Sequence, residues 1–185
     1  MISHWLFQLV LLAMLFAWVV GAYNRMVRLR TAIISAWEQI VASLVKRSEA
    51  MAAVADAVRE PLAAESATLQ ALAEADAKQR AAADGVRQAR ARIADVSLWV
   101  SAEAGLASPA SRLRALIELQ PTLVHESDKG AQLTAALTAW REAEPRLLFA
   151  RQGFNDAVDH YNKAIHQMPT RLIASPMGFR SAGRI

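Results

Sequence analysis

The chain has 185 residues, a formal charge of +4, 54% apolar residues, seven glycines, six prolines and no cysteine. The lack of cysteine excludes disulfides, thiolate metal centres and cysteine nucleophiles, and few turn residues beside much alanine favour long helices over sheet. Arg25, Arg28 and Arg30 near the start and Arg171, Arg180 and Arg184 near the end stand without acidic neighbours, while the rest is mildly acidic; that distribution suits anionic lipid headgroups and argues against a nucleic-acid-binding face.

Trp5 to Ala22 is an eighteen-residue run without a charge. At 1.5 Å per residue it covers about 27 Å, close to the hydrocarbon thickness of a bilayer. Trp5, Trp18 and Tyr23 sit near its ends, where amphipathic rings lie, and Gln8 is near one interface. Residues 1–23 therefore read as a transmembrane anchor. A cleaved signal peptide is the competing reading, but it needs a basic segment before the apolar run, and only Met1-Ile2-Ser3-His4 stands there. The membrane-proximal Arg25, Arg28 and Arg30 place the N-terminus outside and the following domain in the cytoplasm, by the positive-inside rule.

Beyond the anchor, Leu29, Ile33, Trp37, Ile40, Leu44, Met51, Val54 and Val58 recur three or four apart and predict one long helix over 23–59, ended at Pro61. Glu38, Lys46, Arg47 and Glu49 fall mostly off its apolar face. A second helix is expected over 62–101. Its seam is built from Leu72, Gln79, Val86, Ile93 and Val100 interleaved with Ala75, Ala82, Ala89 and Val96, with a local bend at Gly85. The stretch 103–109 reads as the first full break, followed by a short third helix that starts at Pro109, capped by Ser108, and stops at Pro121. After a polar loop at 124–130, Leu133, Trp140, Leu147, Phe154, Tyr161 and Met168 stand seven apart in a fourth, long helix. Glu144 and Arg151 interrupt the interleaved series and are expected to reach solvent by their stems, the alternative being a buried polar pair that fixes helix register, and Pro169 ends the helix.

Four helices joined by short loops predict an all-α fold: the transmembrane helix, then an antiparallel four-helix up-down bundle with a short third helix. The first and last helices fit an antiparallel register that pairs Trp37 with Phe154, Leu44 with Leu147, Met51 with Trp140 and Val58 with Leu133. The expected domains are the anchor at 1–23, the bundle at 24–169 and a basic juxtamembrane tail at 170–185. In that tail Leu172, Ile173, Met177 and Phe179 would touch lipid while Arg171 and Arg180 meet headgroups, the alternative being a tail without fixed structure.

Two distant stretches carry a resemblance. The first is Tyr23-Asn24 with Arg28, Ala36-Trp37, Ile40, Leu44 and Lys46-Arg47. The second is Leu148-Phe149-Ala150-Arg151, Phe154-Asn155-Asp156-Ala157-Val158, Tyr161-Asn162, Pro169, Leu172-Ile173-Ala174 and Gly178-Phe179. Together they resemble the LemA family of bacterial membrane proteins. The resemblance implies a single N-terminal span and a cytoplasmic helical bundle at the bacterial inner membrane, and it implies no particular chemical activity. Ser48 to Ala53, Pro145 and Gly153 depart from the family's usual pattern.

Other chemistry is sparse. His125-Glu126 opens like a zinc motif without its second histidine, and Asp156 and His160, with His166 nearby, read as a helix-surface ion pair in place of a metal site. Arg87, Arg90 and Arg92 read as a solvated face. Trp37, Trp99 and Trp140 read as packing residues. Tyr23, Asn24, Arg28, Trp37, Phe154, Asn155, Tyr161 and Asn162 should converge near the membrane, where the asparagines would clamp the first helix to the last or form a docking surface. The expected protein is a non-enzymatic, membrane-anchored scaffold or adaptor, without cofactor or metal. Its expected partners are the bilayer and another membrane or membrane-associated protein, with self-association open. The alternative is a regulatory subunit of a membrane-associated protease or phosphatase system.

Overall fold

The computed structural model describes residues 2–125 and 129–185. Glu126, and with it the centre of the loop expected at 124–130, lies outside the described residues.

Helix α1 runs without a break from Ile2 to Val58, 57 residues or about 85 Å. Its first part is long and apolar enough to cross a membrane, and none of that apolar window is buried by the rest of the protein. Trp5, Phe7, Leu12 and Phe16 all point outward. From Met26 onward one stripe is covered: Met26, Ile33, Ile40 and Val54 recur in sevens, Trp37, Leu44, Met51 and Val58 interleave, and all are buried. The same helix thus changes from fully exposed to half covered with no hinge between.

The chain reverses through a 3₁₀ turn at Ala63–Glu65 into α2, Ser66–Gln88. Helix α3 spans Ile93–Glu118, a single turn α4 spans Thr122–His125, α5 spans Gly130–His166 and α6 spans Arg171–Ala174. Contacts fix the directions. The Trp37 indole donates to the Ala83 carbonyl while Ser48 bonds Asp76, so α2 runs against α1. Trp37 meets Trp99 and Arg47 meets Glu103, so α3 runs with α1. Trp37 meets Phe154 at 5.2 Å in the expected register, so α5 runs against α1. The bundle is all-helical and up-down, as its periodicity implied.

Two boundaries differ from expectation. The second helix ends at Gln88, and the third is a full-length helix through 103–109. The reversal lies at Ala89-Arg90-Ala91, where Arg90 and Ala91 have φ of 53° and 57°. The Ala91 amide reaches back to the Val86 carbonyl at 2.9 Å and the Arg90 amide to the Arg87 carbonyl at 3.3 Å. That is a Schellman cap with arginine where glycine usually stands. Pro109 sits inside α3 without ending it, although a proline ring crowds the carbonyl four residues back, here that of Gly105. Leu106 and Leu113 remain on the buried seam to either side.

The core has two apolar lobes. One gathers Ile33, Trp37, Trp99, Phe154 and Tyr161 near the apolar end of α1, and the other gathers Met51, Leu72, Leu113, Leu133 and Trp140 at the far end. A charged layer separates them. Arg47, expected off the seam, is 4% exposed and pairs with Glu103 through two bonds of 2.7 and 2.6 Å. Burial pushes its guanidinium pKa down, but the bond to Glu103 and the charges of Glu103, Glu144 and Asp76 outweigh that and raise it. Glu144 lies 3.8 Å from Arg47, binds Arg114 at 3.2 Å and accepts the Trp140 N–H. Glu144 still reaches solvent, its side chain 43% exposed, while taking part in these polar contacts. Glu144 belongs to this layer, and Arg151 rests its guanidinium over the Trp99 ring at 5.1 Å.

Candidate interaction site at the anchor-proximal end

The last residues of the chain fold onto the bundle instead of lying free. After α6, the Phe179 amide bonds the Ala174 carbonyl at 3.0 Å, with Gly178 at φ 77° between them. Here glycine supplies the left-handed residue that ends a helix and reverses the chain. The reversal turns Phe179 inward, where it is buried and meets the Tyr23 ring edge-on at 5.7 Å. Leu172 and Met177 stay exposed. Arg171 and Arg180 are exposed as well.

From Arg180 the tail runs extended along α5 in the opposite direction. Tyr161 Oη donates to the Arg180 carbonyl at 2.9 Å. Asn162 donates to the Ala182 carbonyl at 3.0 Å and accepts the Ala182 amide at 2.9 Å. Asn155 treats Ile185 identically, at 2.8 and 3.0 Å. Each carboxamide thus satisfies both backbone groups of one tail residue, as a neighbouring β-strand would. Gly183 fills the gap on the far side. Its amide bonds the Ala91 carbonyl at 3.0 Å, and a β-carbon there would stand 2.8 Å from the Cα of Ile93.

The expected convergence is therefore partly met. Trp37 and Phe154 meet in the core, and Tyr23 reaches the tail through Phe179. The two asparagines of α5 clamp the tail, not α1. Asn24 is exposed and makes no side-chain hydrogen bond among the described residues, and Arg25 and Arg28 are exposed beside it. Asp156 and His160 face solvent. Burial raises the Tyr161 phenol above its usual range, against the opposing charge of Arg30.

Arg30, Arg90, Arg92 and Arg180 line one cavity of about 330 Å³ next to the Tyr161 side chain. Sequence reasoning treated these arginines as separate groups. The one available signal was that Arg30 falls in the heptad series of Trp37, Leu44 and Met51, which points it at the bundle.

A four-helix up-down bundle carried on a helix long and apolar enough to span a membrane defines the class. The chain belongs to the LemA family, whose pattern matches residues 36–184 and so takes in Asn155, Asn162 and the tail up to Arg184. No curated protein matches the sequence.

Proposed function

We propose that the protein is a single-pass membrane protein whose bundle acts in the cytoplasm as a non-enzymatic scaffold or adaptor for another membrane or membrane-associated protein. The observation that carries this reading is the outer face of the α1–α5 pair. A groove of about 590 Å³ lies there, lined by Ala36, Ala42, Ser43, Pro145, Ala150 and Gly153 and bordered by the longer Gln39, Lys46 and Arg146. Phe149, on its edge, is 78% exposed and the adjacent Leu148 is 59% exposed. An exposed phenylalanine beside a small-residue groove is the arrangement by which a partner helix gains close backbone approach and an aromatic anchor. The groove runs along the helix that carries the apolar segment, so a partner rising from the same membrane meets it lengthwise.

The test is a photoreactive amino acid placed at Phe149, with one at Glu74 on α2 as control, irradiated in intact cells. A discrete adduct from position 149 and none from position 74 is the expected result. Equal labelling, or none at either position, defeats the adaptor reading. A cysteine in place of the exposed Ser111 checks topology: it stays unlabelled by an impermeant thiol reagent in intact cells and reacts after permeabilisation.

A further inference from the structure

The cavity lined by Arg30, Arg90, Arg92 and Arg180 concentrates positive charge where the chain gives it no counter-charge. The four come from three separate places: α1, the α2–α3 turn and the tail. No carboxylate lines the cavity. Among the described residues none of the four takes part in an ion pair. The neighbouring arginines that are paired, Arg87 with Glu38 and Arg184 with Asp159, are different residues. A hydroxyl is at hand in Ser181, which belongs to the same lining and has its Oγ 3.0 Å from His166 Nε2, while the Tyr161 hydroxyl is already given to the Arg180 carbonyl.

Arg30 is half-buried while Arg90, Arg92 and Arg180 are exposed, so water screens part of their mutual repulsion, and an anion in the space of about 330 Å³ would relieve what remains. The backbone adds a second indication. Arg90 holds a left-handed conformation at φ 53°, which glycine would adopt without strain. The position thus gives up local stability and gains a guanidinium at the cavity mouth. The other side of the cavity depends on the asparagine clamp, since Arg180 is held there by the tail that Tyr161, Asn162 and Asn155 bind. The volume lies at the lower end of the range for small-molecule sites and suits a phosphate group with a small substituent. Arginine is the side chain best matched to it, because its planar fork makes paired bonds to phosphate oxygens.

We infer that this cavity binds a phosphate-bearing anion, gripped by Arg30, Arg90, Arg92 and Arg180 together. The same chemistry is presented by the headgroup of an anionic phospholipid and by a free pyrophosphate. The inference rests on the proximal end alone and requires neither the adaptor partner nor the cytoplasmic topology.

Native mass spectrometry on the full chain in detergent tests it, with pyrophosphate, phosphatidic acid or phosphatidylcholine added in separate arms. A retained phosphatidic acid adduct without a pyrophosphate adduct assigns the site to a lipid headgroup. Retained pyrophosphate, with or without the lipid, assigns it to the phosphate group itself and admits a free ligand. Phosphatidylcholine leaves no comparable adduct. Arg90→Gly weakens the adduct roughly tenfold, the effect of losing one charge-assisted pair, while its melting temperature stays level or rises. Arg141→Gln, which removes an exposed charge at the other end of the bundle, leaves the adduct unchanged. Absence of both anionic adducts overturns the inference, and so does an equal loss in Arg90→Gly and Arg141→Gln.

Discussion

Asn155 holds both backbone groups of Ile185, and seven residues further along α5 Asn162 holds both backbone groups of Ala182. Seven helical residues advance about 10.5 Å, and three extended residues advance about 10 Å. The two spacings agree, so one helix face can grip an extended strand at every third residue. Asn162→Ala removes two bonds to the tail and costs about 2 kcal/mol. The melting temperature should fall by roughly 4–8 °C for a domain of this size, and trypsin should cut after Arg180 faster than in the parent. Unchanged proteolysis would mean that the tail is held by its apolar contacts alone.

Arg47 and Glu103 form the charged layer between the two apolar lobes. Removing one member strands the other in a buried place, so Arg47→Met should cost about 3–5 kcal/mol in chemical denaturation. Pairing it with Glu103→Leu should restore most of that loss, because two apolar groups need no partner. A double variant as unstable as the single one would show that the layer stabilises the bundle by more than satisfying itself.

Tyr161 gives a pH dependence of known sign. Its pKa in the folded protein lies above the ordinary phenol value of 10.0, chiefly through burial. In the interval between the two values the folded state keeps a proton that the unfolded state has lost, so the contribution is complete below pH 10 and fades as pH rises beyond it. Tyr161→Phe should lower stability by about 1 kcal/mol at neutral pH through loss of the bond to Arg180. The gap from the parent should narrow above pH 10. A gap that widens with alkalinity would contradict the burial argument.

Glycines separate by their surroundings. Gly85 and Gly153 lie inside helices with nothing within 4 Å of an added β-carbon, so alanine at either should stabilise by roughly 0.5–1 kcal/mol. At Gly183 the added carbon would meet the Ile93 backbone and the Val96 side chain, and alanine should destabilise by about 1–3 kcal/mol. Thermal melts of the three variants should divide two against one.

Much of the architecture was legible because the strongest signals are periodic. The sevens in α5 and the matching apolar pairs across Trp37 and Phe154 specify the long antiparallel pair without reference to any loop. The turn at Ala89-Arg90-Ala91 was hidden because its left-handed residues are arginine and alanine, while Gly105 and Pro109 further on drew the boundary to themselves. Arg47 was hidden by its charge, although it stands seven residues from Ile40 and from Val54 in the buried series. Each long helix carries its own polar residue of the layer (Arg47, Asp76, Glu103 and Glu144), and their meeting exists only once the helices are assembled. Asn155 and Asn162 were expected to join Asn24 in clamping α1 to α5, but they hold the tail and Asn24 stands apart. Their object was missed because an extended tail has no period for a helix-based reading to detect.

One helix serves both as the apolar segment and as a wall of the core, with no proline and no glycine after Gly21 up to Val58. Such a rod transmits torque. Inserting one alanine between Ala22 and Met26 would rotate everything beyond it by about 100° and lift it by about 1.5 Å, while the bundle's own packing from Met26 onward stays as it was. The Phe149 groove would then face a different compass direction relative to the apolar segment. A series of one to four inserted alanines, scored for cross-linking at position 149, should therefore lose the adduct and regain it as the helix comes round to its starting face.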